Sequence, residues 1–223
     1  MTPPPLALNG AALVPDGSGA LHWPARGALV VADLHLEKGS SYPGGGLPPH
    51  DSAATLDRLE AVLDRLTPAT VICLGDSFHD AGGPARLPDR DRARLARLTG
   101  ACRWVWLAGN HDPAPTAELG GEAAGELALD PLVFRHIARA DGPVGEVSGH
   151  YHPKATVRVR GRPIRRACFV GDGRRLVLPA FGAYTGGLNV REPAVRGLFP
   201  HGFTVHLLSA RGVRRVPGAR LAA

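Results

Sequence analysis

Four short polar clusters, each directly after an apolar run typical of a β-strand, restrict the fold of this chain more than any other feature of its sequence. They are Asp33-Leu34-His35, Gly75-Asp76, Gly109-Asn110-His111-Asp112 and Gly149-His150-Tyr151-His152. The carboxyl ends of several strands meet at one edge of an open α/β sheet, and ligands bind there. The clusters therefore predict a fold that brings four strand ends to one site.

The spacing within two of the clusters supports a shared site. Asp33 and His35 are two residues apart, as are His150 and His152. In extended backbone, residues i and i+2 point to the same side of the strand. We therefore expect extended segments that direct each pair of side chains into one cavity.

The remaining pattern predicts alternating strands and helices in the first half and consecutive strands in the second. Residues 5–14 and 20–23 are expected to form an opening pair of strands, residues 28–32, 70–74 and 103–108 buried strands, and residues 51–66 and 88–98 amphipathic helices. Asp51 or Ser52 is a suitable N-cap for the first helix. Six short apolar runs between residues 132 and 208 predict further strands.

These elements predict an α/β fold with two mixed sheets face to face and helices outside, which is a four-layer αββα sandwich. We expect a single domain over residues 1–223, with a disordered basic tail after about residue 209. The Gly- and Pro-rich loop at 39–50 is expected to have no element of its own and to act as a lid or substrate lip.

The side chains in the clusters indicate a metal site. Carboxylate and imidazole donors without cysteine suit Mn²⁺, Fe²⁺ or Zn²⁺. The donors are too many for one tetrahedral ion and suit two ions that share a bridging carboxylate. Gly75, Gly109 and Gly149 precede three of the donors, where a residue without Cβ permits close backbone approach.

The order Asp-x-His, Gly-Asp, Gly-Asn-His-Asp, Gly-His-x-His resembles the calcineurin-like metallophosphoesterase superfamily, whose pattern also contains a lone histidine before the last cluster. His136 is the only histidine between Asp112 and Gly149. The resemblance implies the sandwich fold and two metal ions. It implies that Asp33, His35, Asp76 and His152 hold one ion, and that Asp76, Asn110, His136 and His150 hold the other, with Asp76 bridging.

Longer motifs are similar to a narrower family, the bacterial ligase-associated DNA damage response endonucleases (PdeM). They are LGDSFHD (74–80), AGNHDP (108–113), SGHYHPKA (148–155) and LPAFGAYTGGL (178–188). This similarity implies a Mn²⁺-dependent phosphodiesterase or nuclease that acts in DNA repair, on single-stranded or damaged DNA, beside a DNA ligase and a helicase. His79, three residues after Asp76, also resembles a histidine of the superfamily's double-strand-break repair nucleases.

Further residues have candidate roles near the reacting phosphate. Two ions about 3.5–4 Å apart can clamp a phosphate and activate a water. His111 is the candidate that protonates the leaving oxygen, or alternatively it only orients its neighbours. His79 pairs with His111 or merely fixes its loop. Arg158 and Arg160, on one face of a strand, and Tyr184 are candidate substrate contacts, although a solvated outer face explains the arginines equally well.

Composition permits a nucleic-acid substrate without requiring one. The net charge is +6, nearly all basic residues are Arg, and Arg binds phosphate in a bidentate manner, but a GC-rich coding sequence would produce the same bias. Aromatic content is only 5%, which leaves few stacking platforms for a single strand. No run approaches the length of a membrane span, so we expect a cytoplasmic protein.

Three functions therefore compete. The chain is a metal-dependent phosphodiesterase acting on DNA, a hydrolase of small nucleotides or cyclic phosphodiesters, or a non-catalytic scaffold that binds metal or a repair partner. The complete set of candidate ligands argues against the scaffold, because a decayed site loses some of its residues.

Overall fold

The structure, a computed structural model, describes residues 5–42, 50–113 and 119–222. Its strands are β1 Leu6–Leu8, β2 Ala11–Pro15, β3 Leu21–Trp23, β4 Ala28–Val31, β5 Thr70–Cys73, β6 Arg103–Leu107, β7 Glu122–Ala124, β8 Glu126–Leu129, β9 Leu132–Arg135, β10 Glu146–Ser148, β11 Lys154–Val159, β12 Arg162–Gly171, β13 Arg175–Val177, β14 Thr204–Ser209 and β15 Gly212–Pro217. Its helices are α1 Asp51–Leu66, α2 Gly83–Arg86, α3 Asp89–Ala101 and α4 Pro193–Arg196.

Two mixed sheets form the centre of the molecule. Among the described residues, the first sheet has seven strands in the order β1-β2-β3-β4-β5-β6-β7, of which β4 to β7 are parallel. The second has eight, in the order β15-β14-β12-β13-β10-β9-β8, with β11 added beside β12. Its parallel strands are β9, β10 and β13.

The two sheets pack on each other through an apolar cluster to which both contribute. Trp23 and Val30 enter it from the first sheet, and Phe134 and Phe169 enter it from the second. Each such buried aliphatic or aromatic side chain contributes about 1.5–3 kcal/mol relative to an exposed one. This burial holds the carboxyl ends of β4, β5, β9 and β10 at a common edge.

The first sheet is covered on its outer face by α1 and α3. Strand β4 illustrates the alternation, since Ala28 and Val30 face the second sheet whereas Leu29 and Val31 face the helices. All four residues are buried, which explains why the sequence shows a continuous apolar run there. Leu56 of α1 and other leucines of α1 and α3 complete this layer.

The outer face of the second sheet has a thinner cover. The four-residue helix α4 contributes Val195, and Phe199 and Leu221 pack beside it against Cys168 and Val170 of β12. The predicted sandwich with two mixed sheets is confirmed, but its fourth layer is mostly irregular chain.

The start of α1 differs from the predicted cap. The residue before the helix is His50, and no side chain caps the first turn. Asp51 and Ser52 instead bond to the segment after β4, where Asp51 Oδ2 accepts from the Gly39 amide and the Ser52 hydroxyl donates to Glu37. Part of that segment forms a 3₁₀ turn over Gly39–Ser41, and residues 43–49 of the expected lid lie outside the described residues.

Two further predictions about elements are wrong. Residues 5–14 form two strands, β1 and β2, because Asn9 and Gly10 both have positive φ in a tight hairpin turn. The tail after residue 209 is also not disordered, because β15 pairs with β14 along its whole length. The sequence prediction missed β7 and β8 as well.

The described residues form no disulfide and no helix that could span a membrane. Cys73 and Cys168 are buried and free, and Cys102 is free and half-buried. Within the described part of the chain, no helix combines the length and the apolar character needed to cross a bilayer.

Candidate metal centre

Two groups of three donor side chains lie side by side at the common edge of the sheets. Within each group the nitrogen and oxygen atoms lie within 4.8 Å of one another. The first group is Asp33, His35 and His152, and the second is Asp76, His136 and His150. Each group combines residues that follow strands of the first sheet with residues that follow strands of the second.

The carboxylate of Asp76 lies between the two groups. Its Oδ2 is 3.3 Å from Nε2 of His136 and 3.9 Å from Nε2 of His35, which belongs to the other group. Its Oδ1 accepts a hydrogen bond from the His111 amide at 2.9 Å. One oxygen is therefore fixed by the backbone while the other is shared by both groups.

Asp33 connects the two sheets directly. Its carboxylate accepts the amide of His150 at 3.0 Å, and its Oδ1 lies 3.3 Å from Nε2 of His152. The His152 nitrogen is in turn 3.3 Å from Nε2 of His35. Donors about 2.1 Å from one ion are spaced by about 3–3.5 Å, so these three atoms have the spacing of a ligand set.

Hydrogen bonding assigns the free nitrogen of His136. Its Nδ1 is 2.7 Å from the carbonyl oxygen of Leu74, which only accepts, so Nδ1 carries the proton. The remaining nitrogen, Nε2, lies 2.9 Å from Oδ1 of Asn110. The structure thus brings Asn110 to the second group, and it leaves Nε2 of His136 available as a ligand.

The backbone at the site is left-handed, not extended as expected from the i, i+2 spacing. Asp33, His35, Asp76, His150 and His152 all have φ between 44° and 71°. Such conformations cost about 1–3 kcal/mol each for residues other than glycine and persist only where surrounding contacts impose them. The pairs do converge, but the segments after β4 and β10 turn at each donor.

The glycines of the clusters permit close contacts, as the sequence predicts. A Cβ on Gly75 would lie 2.7 Å from the His136 ring, and one on Gly149 would lie 2.7 Å from Oδ2 of Asp33. A Cβ on Gly109 would overlap the amide nitrogen and Oδ1 of Asp76. The donors can reach these positions only because three neighbouring side chains are missing.

The charges at the site fit a bound cation. Asp33 and Asp76 are 0% and 2% exposed, and among the described residues neither forms an ion pair with Arg or Lys. Buried carboxylates require a compensating charge. Burial and the neighbouring His152 lower the pKa of His35 to about 3, so its imidazole is neutral and able to bind a metal.

The geometry agrees with sequence and structure comparisons. Residues 28–151 match the model of the calcineurin-like phosphoesterase family, which covers more than half of the chain. The chain belongs to this family. A crystal structure of the nuclease MPE from Pseudomonas putida is 32% identical, covers 95% of this chain and 98% of that chain, and has a TM-score of 0.75. This phosphoesterase is therefore a metal-dependent hydrolase.

Two other comparisons add less. The phosphoesterase Yfce from E. coli is 14% identical, covering 85% of this chain and 98% of that chain, and its TM-score of 0.44 is too low to support an argument. A comparison with curated proteins gave no match.

His79 and His111 of the phosphoesterase lie beside the first donor group. Their rings stack with centroids 5.2 Å apart, and Nδ1 of His111 lies 2.7 Å from the His79 carbonyl oxygen. One nitrogen of each, together with one of His35, also lies within 4.8 Å of the others. The structure thus places these two histidines in direct contact, which is compatible with either role predicted for His79.

Two lysines follow the candidate ligands closely along the chain: Lys38 comes three residues after His35, and Lys154, two residues after His152, donates to the Thr185 carbonyl at 3.2 Å. Burial lowers the pKa of His79, and the nearby ammonium of Lys38 lowers it further. Burial, then Arg165, then Lys38 lower the pKa of Lys154, so the two ammonium groups influence each other. These are the only two lysines of the chain, although 115 residues separate them.

The predicted substrate contacts are not brought to the donors. Arg158 and Arg160 lie at the far end of the β11–β12 hairpin, where Arg158 pairs with Pro163 and Arg160 occupies the turn. Tyr184 is 45% exposed in a loop that begins near Asp33, where the Gly182 amide donates to the Asp33 carbonyl. Among the described residues, none of the three forms a side-chain hydrogen bond or an ion pair with a donor group.

Sequence reasoning assigned no role to Asp112, although it quoted this residue as part of a cluster. The buried Oδ2 of Asp112 accepts the amides of Ser77 and Phe78 at 2.8 and 3.0 Å. Burial raises the pKa of Asp112 to about 6, despite these hydrogen bonds. Asp112 therefore fixes the loop between Asp76 and His79. The motif Gly-Asn-His-Asp is the sequence feature that could have indicated a role for this residue.

Proposed function

We propose that this phosphoesterase is a two-metal phosphodiesterase that cleaves DNA. The observation that carries the proposal is the position of Asp76 Oδ2, which lies within 3.9 Å of an imidazole nitrogen from each donor group. A carboxylate placed between two donor sets suits two ions that share one ligand. A single ion would leave one buried donor group without a cation.

The donors divide into two sets in this proposal. Asp33, His35, Asp76 and His152 hold the first ion, and Asp76, Asn110, His136 and His150 hold the second. Ions bound there supply Lewis-acid stabilisation of negative charge on a phosphodiester and an activated water. Mn²⁺ is the metal that the sequence resemblance favours, and Fe²⁺ and Zn²⁺ accept the same donors.

His111 is the residue that we assign to the leaving oxygen. Its Nδ1 donates to the His79 carbonyl, so Nε2 is the nitrogen that can carry a proton to substrate. The ring is exposed, whereas the donor histidines are buried or half-buried. His79 supports this role, since its carbonyl fixes the His111 tautomer and its ring stacks on that of His111.

DNA is the proposed substrate for three reasons. The similar Pseudomonas putida protein is named as a nuclease, the sequence motifs resemble DNA damage response endonucleases, and Lys38 and Lys154 follow the candidate ligands His35 and His152 within three residues. The resemblance alone supports a role in DNA repair beside a ligase and a helicase, and the cytoplasm remains the location expected from the sequence. Arg158, Arg160 and Tyr184 remain candidate contacts for a longer strand.

Metal reconstitution tests the proposal. Metal-stripped protein is supplied with Mn²⁺ and assayed on bis-(4-nitrophenyl) phosphate, on 4-nitrophenyl phosphate and on single-stranded DNA, while bound metal is counted by mass spectrometry. We expect two ions per chain and hydrolysis of the diester and of DNA. A strong preference for the monoester would reject the phosphodiesterase, and one tightly bound ion would reject the shared ligand.

The role of His111 has its own test. His111→Ala should lower kcat on DNA by about 10²–10⁴-fold while two ions remain bound, because it removes a proton donor and no ligand. His201→Ala, an exposed histidine elsewhere, is the matched control. Full diester activity in His111→Ala would exclude the assigned role.

A further inference from the structure

Three aromatic rings form a column that leads from the donor groups to the surface. Tyr42 and His79 are nearly parallel, with centroids 6.0 Å apart and an interplanar angle of 28°. His79 and His111 continue the column at 5.2 Å and 23°. Offset parallel rings at these separations attract one another.

The inner end of the column touches the first donor group. The ring of His35 meets His79 edge-on at 5.4 Å and His111 edge-on at 5.2 Å. Only one imidazole, that of His79, therefore separates Tyr42 from a proposed metal ligand. A group that packs on the open face of Tyr42 is separated from His35 by the rings of Tyr42 and His79, which are spaced at 6.0 and 5.4 Å along the column.

Buried hydrogen bonds hold the segment that carries Tyr42. Glu37 is 6% exposed, and its carboxylate accepts the hydroxyls of Ser40 and Ser52, each at 2.7 Å. The amide of Gly39 donates to Asp51 at the first turn of α1. These contacts tie the 3₁₀ turn before Tyr42 to a rigid helix, so the ring is positioned before any ligand arrives.

The outer part of Tyr42 is open. The residue is 44% exposed, whereas every tryptophan and most phenylalanines of the chain are buried. Lys38 and Tyr42 flank the same 3₁₀ turn, and the Ser41 hydroxyl donates to the Lys38 carbonyl at 2.7 Å. An exposed ring and a cation on one short turn suit a nucleotide, with the base on the ring and phosphate near the cation.

We propose that Tyr42 is a stacking platform for a nucleobase that lies a short distance along the strand from the scissile phosphodiester. This inference rests on the proposed function and deepens it, because it makes a base-bearing strand the preferred substrate over a small phosphodiester. Stacking is indifferent to base identity, so it adds affinity without sequence specificity. It requires an unpaired base, so it favours single-stranded over double-stranded DNA.

A binding measurement tests the platform separately from cleavage. Mn²⁺-loaded protein is mixed in a stopped-flow instrument with a short single strand containing 2-aminopurine, whose fluorescence falls on stacking, and the first phase is recorded before turnover. Wild type and Tyr42→Phe should quench the probe equally. Tyr42→Leu, which keeps an apolar side chain of similar reach without a ring, should lose the quenching and weaken binding about tenfold.

Controls separate stacking from a structural effect. Val144→Ala truncates an exposed apolar side chain away from the site and should bind like wild type. A strand with consecutive abasic residues on both sides of the cleaved bond should bind wild type about tenfold more weakly, and Tyr42→Leu should then add no further loss. The platform would be overturned if Tyr42→Leu lost the same binding affinity for base-bearing and abasic strands, or lost affinity for neither.

The two proposals fail in different ways. If the platform is wrong, wild type and Tyr42→Leu cleave and bind DNA alike. If the phosphodiesterase proposal is wrong, wild type cleaves no diester in Mn²⁺. The fluorescence of 2-aminopurine in the bound strand is then still quenched in wild type and not in Tyr42→Leu, which reports the platform.

Discussion

Single residues determine the spacing of the donor groups through backbone conformation and through the absence of side chains. Asp33, His35 and Asp76 each turn the chain with positive φ, and Gly109 leaves room for the Asp76 carboxylate. The sequence predicts the candidate donors, because donor type and order are local. It does not reveal left-handed conformations in Asp and His, since tertiary contacts impose them against local preference.

Gly109→Ala should disrupt the site from within. The new Cβ overlaps the amide nitrogen of Asp76, and backbone cannot move as a flexible side chain can. We expect a loss of about 1–3 kcal/mol in the free energy of unfolding and weaker Mn²⁺ binding. Chemical denaturation and a calorimetric Mn²⁺ titration measure both quantities.

Gly100→Ala is the matched control for this substitution. Gly100 lies in α3, and a Cβ there has no neighbour within 4 Å. Alanine should raise stability by up to about 1 kcal/mol, because it favours the helix. Equal stability and Mn²⁺ affinity in the two variants would show that the cluster glycine has no steric role.

At the scale of elements, ion pairs join the two helices on the first sheet. Arg94 of α3 donates to Asp57 and Glu60 of α1 at 2.6 and 2.7 Å, and Arg97 donates to Glu60 at 2.6 Å. Helical periodicity predicted both helices. It could not predict the pairing, because the partners come from a helix 34 to 37 residues away.

These pairs should make stability depend on pH. The hydrogen bond from Arg94 lowers the pKa of Glu60 below its usual 4.5. A carboxylate whose pKa is lower in the folded state stabilises the fold above the unfolded pKa, and this contribution fades as pH falls through the folded pKa. Glu60→Gln should therefore cost up to about 1 kcal/mol at pH 7 and almost nothing near pH 3.

Denaturation of wild type and Glu60→Gln at several pH values measures this difference. Asp64→Asn, on the exposed face of the same helix, should have a small and nearly constant effect. If the difference in free energy of unfolding between wild type and Glu60→Gln grew as the pH falls, it would contradict a stabilising ion pair between Glu60 and Arg94.

The last strand should be needed for the second sheet. A chain that stops after residue 209 loses β15, leaves the edge of β14 unpaired, and removes the buried Leu221. Unpaired edges promote association between copies. We expect lower thermal stability and aggregation in size-exclusion chromatography, whereas Arg214→Gln, which keeps the strand, should behave as wild type.

At the scale of the whole molecule, the site lies where two sheets meet, so bound metal should stabilise the entire fold. Mn²⁺ at about 100 times its Kd should add about 2.7 kcal/mol, which corresponds to about 5–10 °C in Tm. Thermal unfolding with Mn²⁺ and with EDTA measures the shift. Asp76→Asn should lose most of it and Asp64→Asn should retain it, and an equal shift in both would place the metal elsewhere.

The global arrangement was predictable because two signals agree. Alternating elements indicate an α/β sandwich, and the motif order resembles one superfamily. The sequence could not show the thin layer over β12. It also could not show that β15 is an ordered strand, since an Arg-rich tail has the composition of a solvated end. It could not show the Tyr42 column either, since a Gly- and Pro-rich segment has no periodicity that places a ring.

The division of each donor group between the two sheets has a consequence for synthesis. Ribosomes deliver the amino-terminal half first, and that half carries Asp33, His35 and Asp76 without His136, His150 or His152. A nascent chain with only the first sheet thus holds an incomplete ligand set, and we expect it to hydrolyse no phosphoester. Activity should begin only after β9 and β10 have been synthesised and have paired with their neighbours.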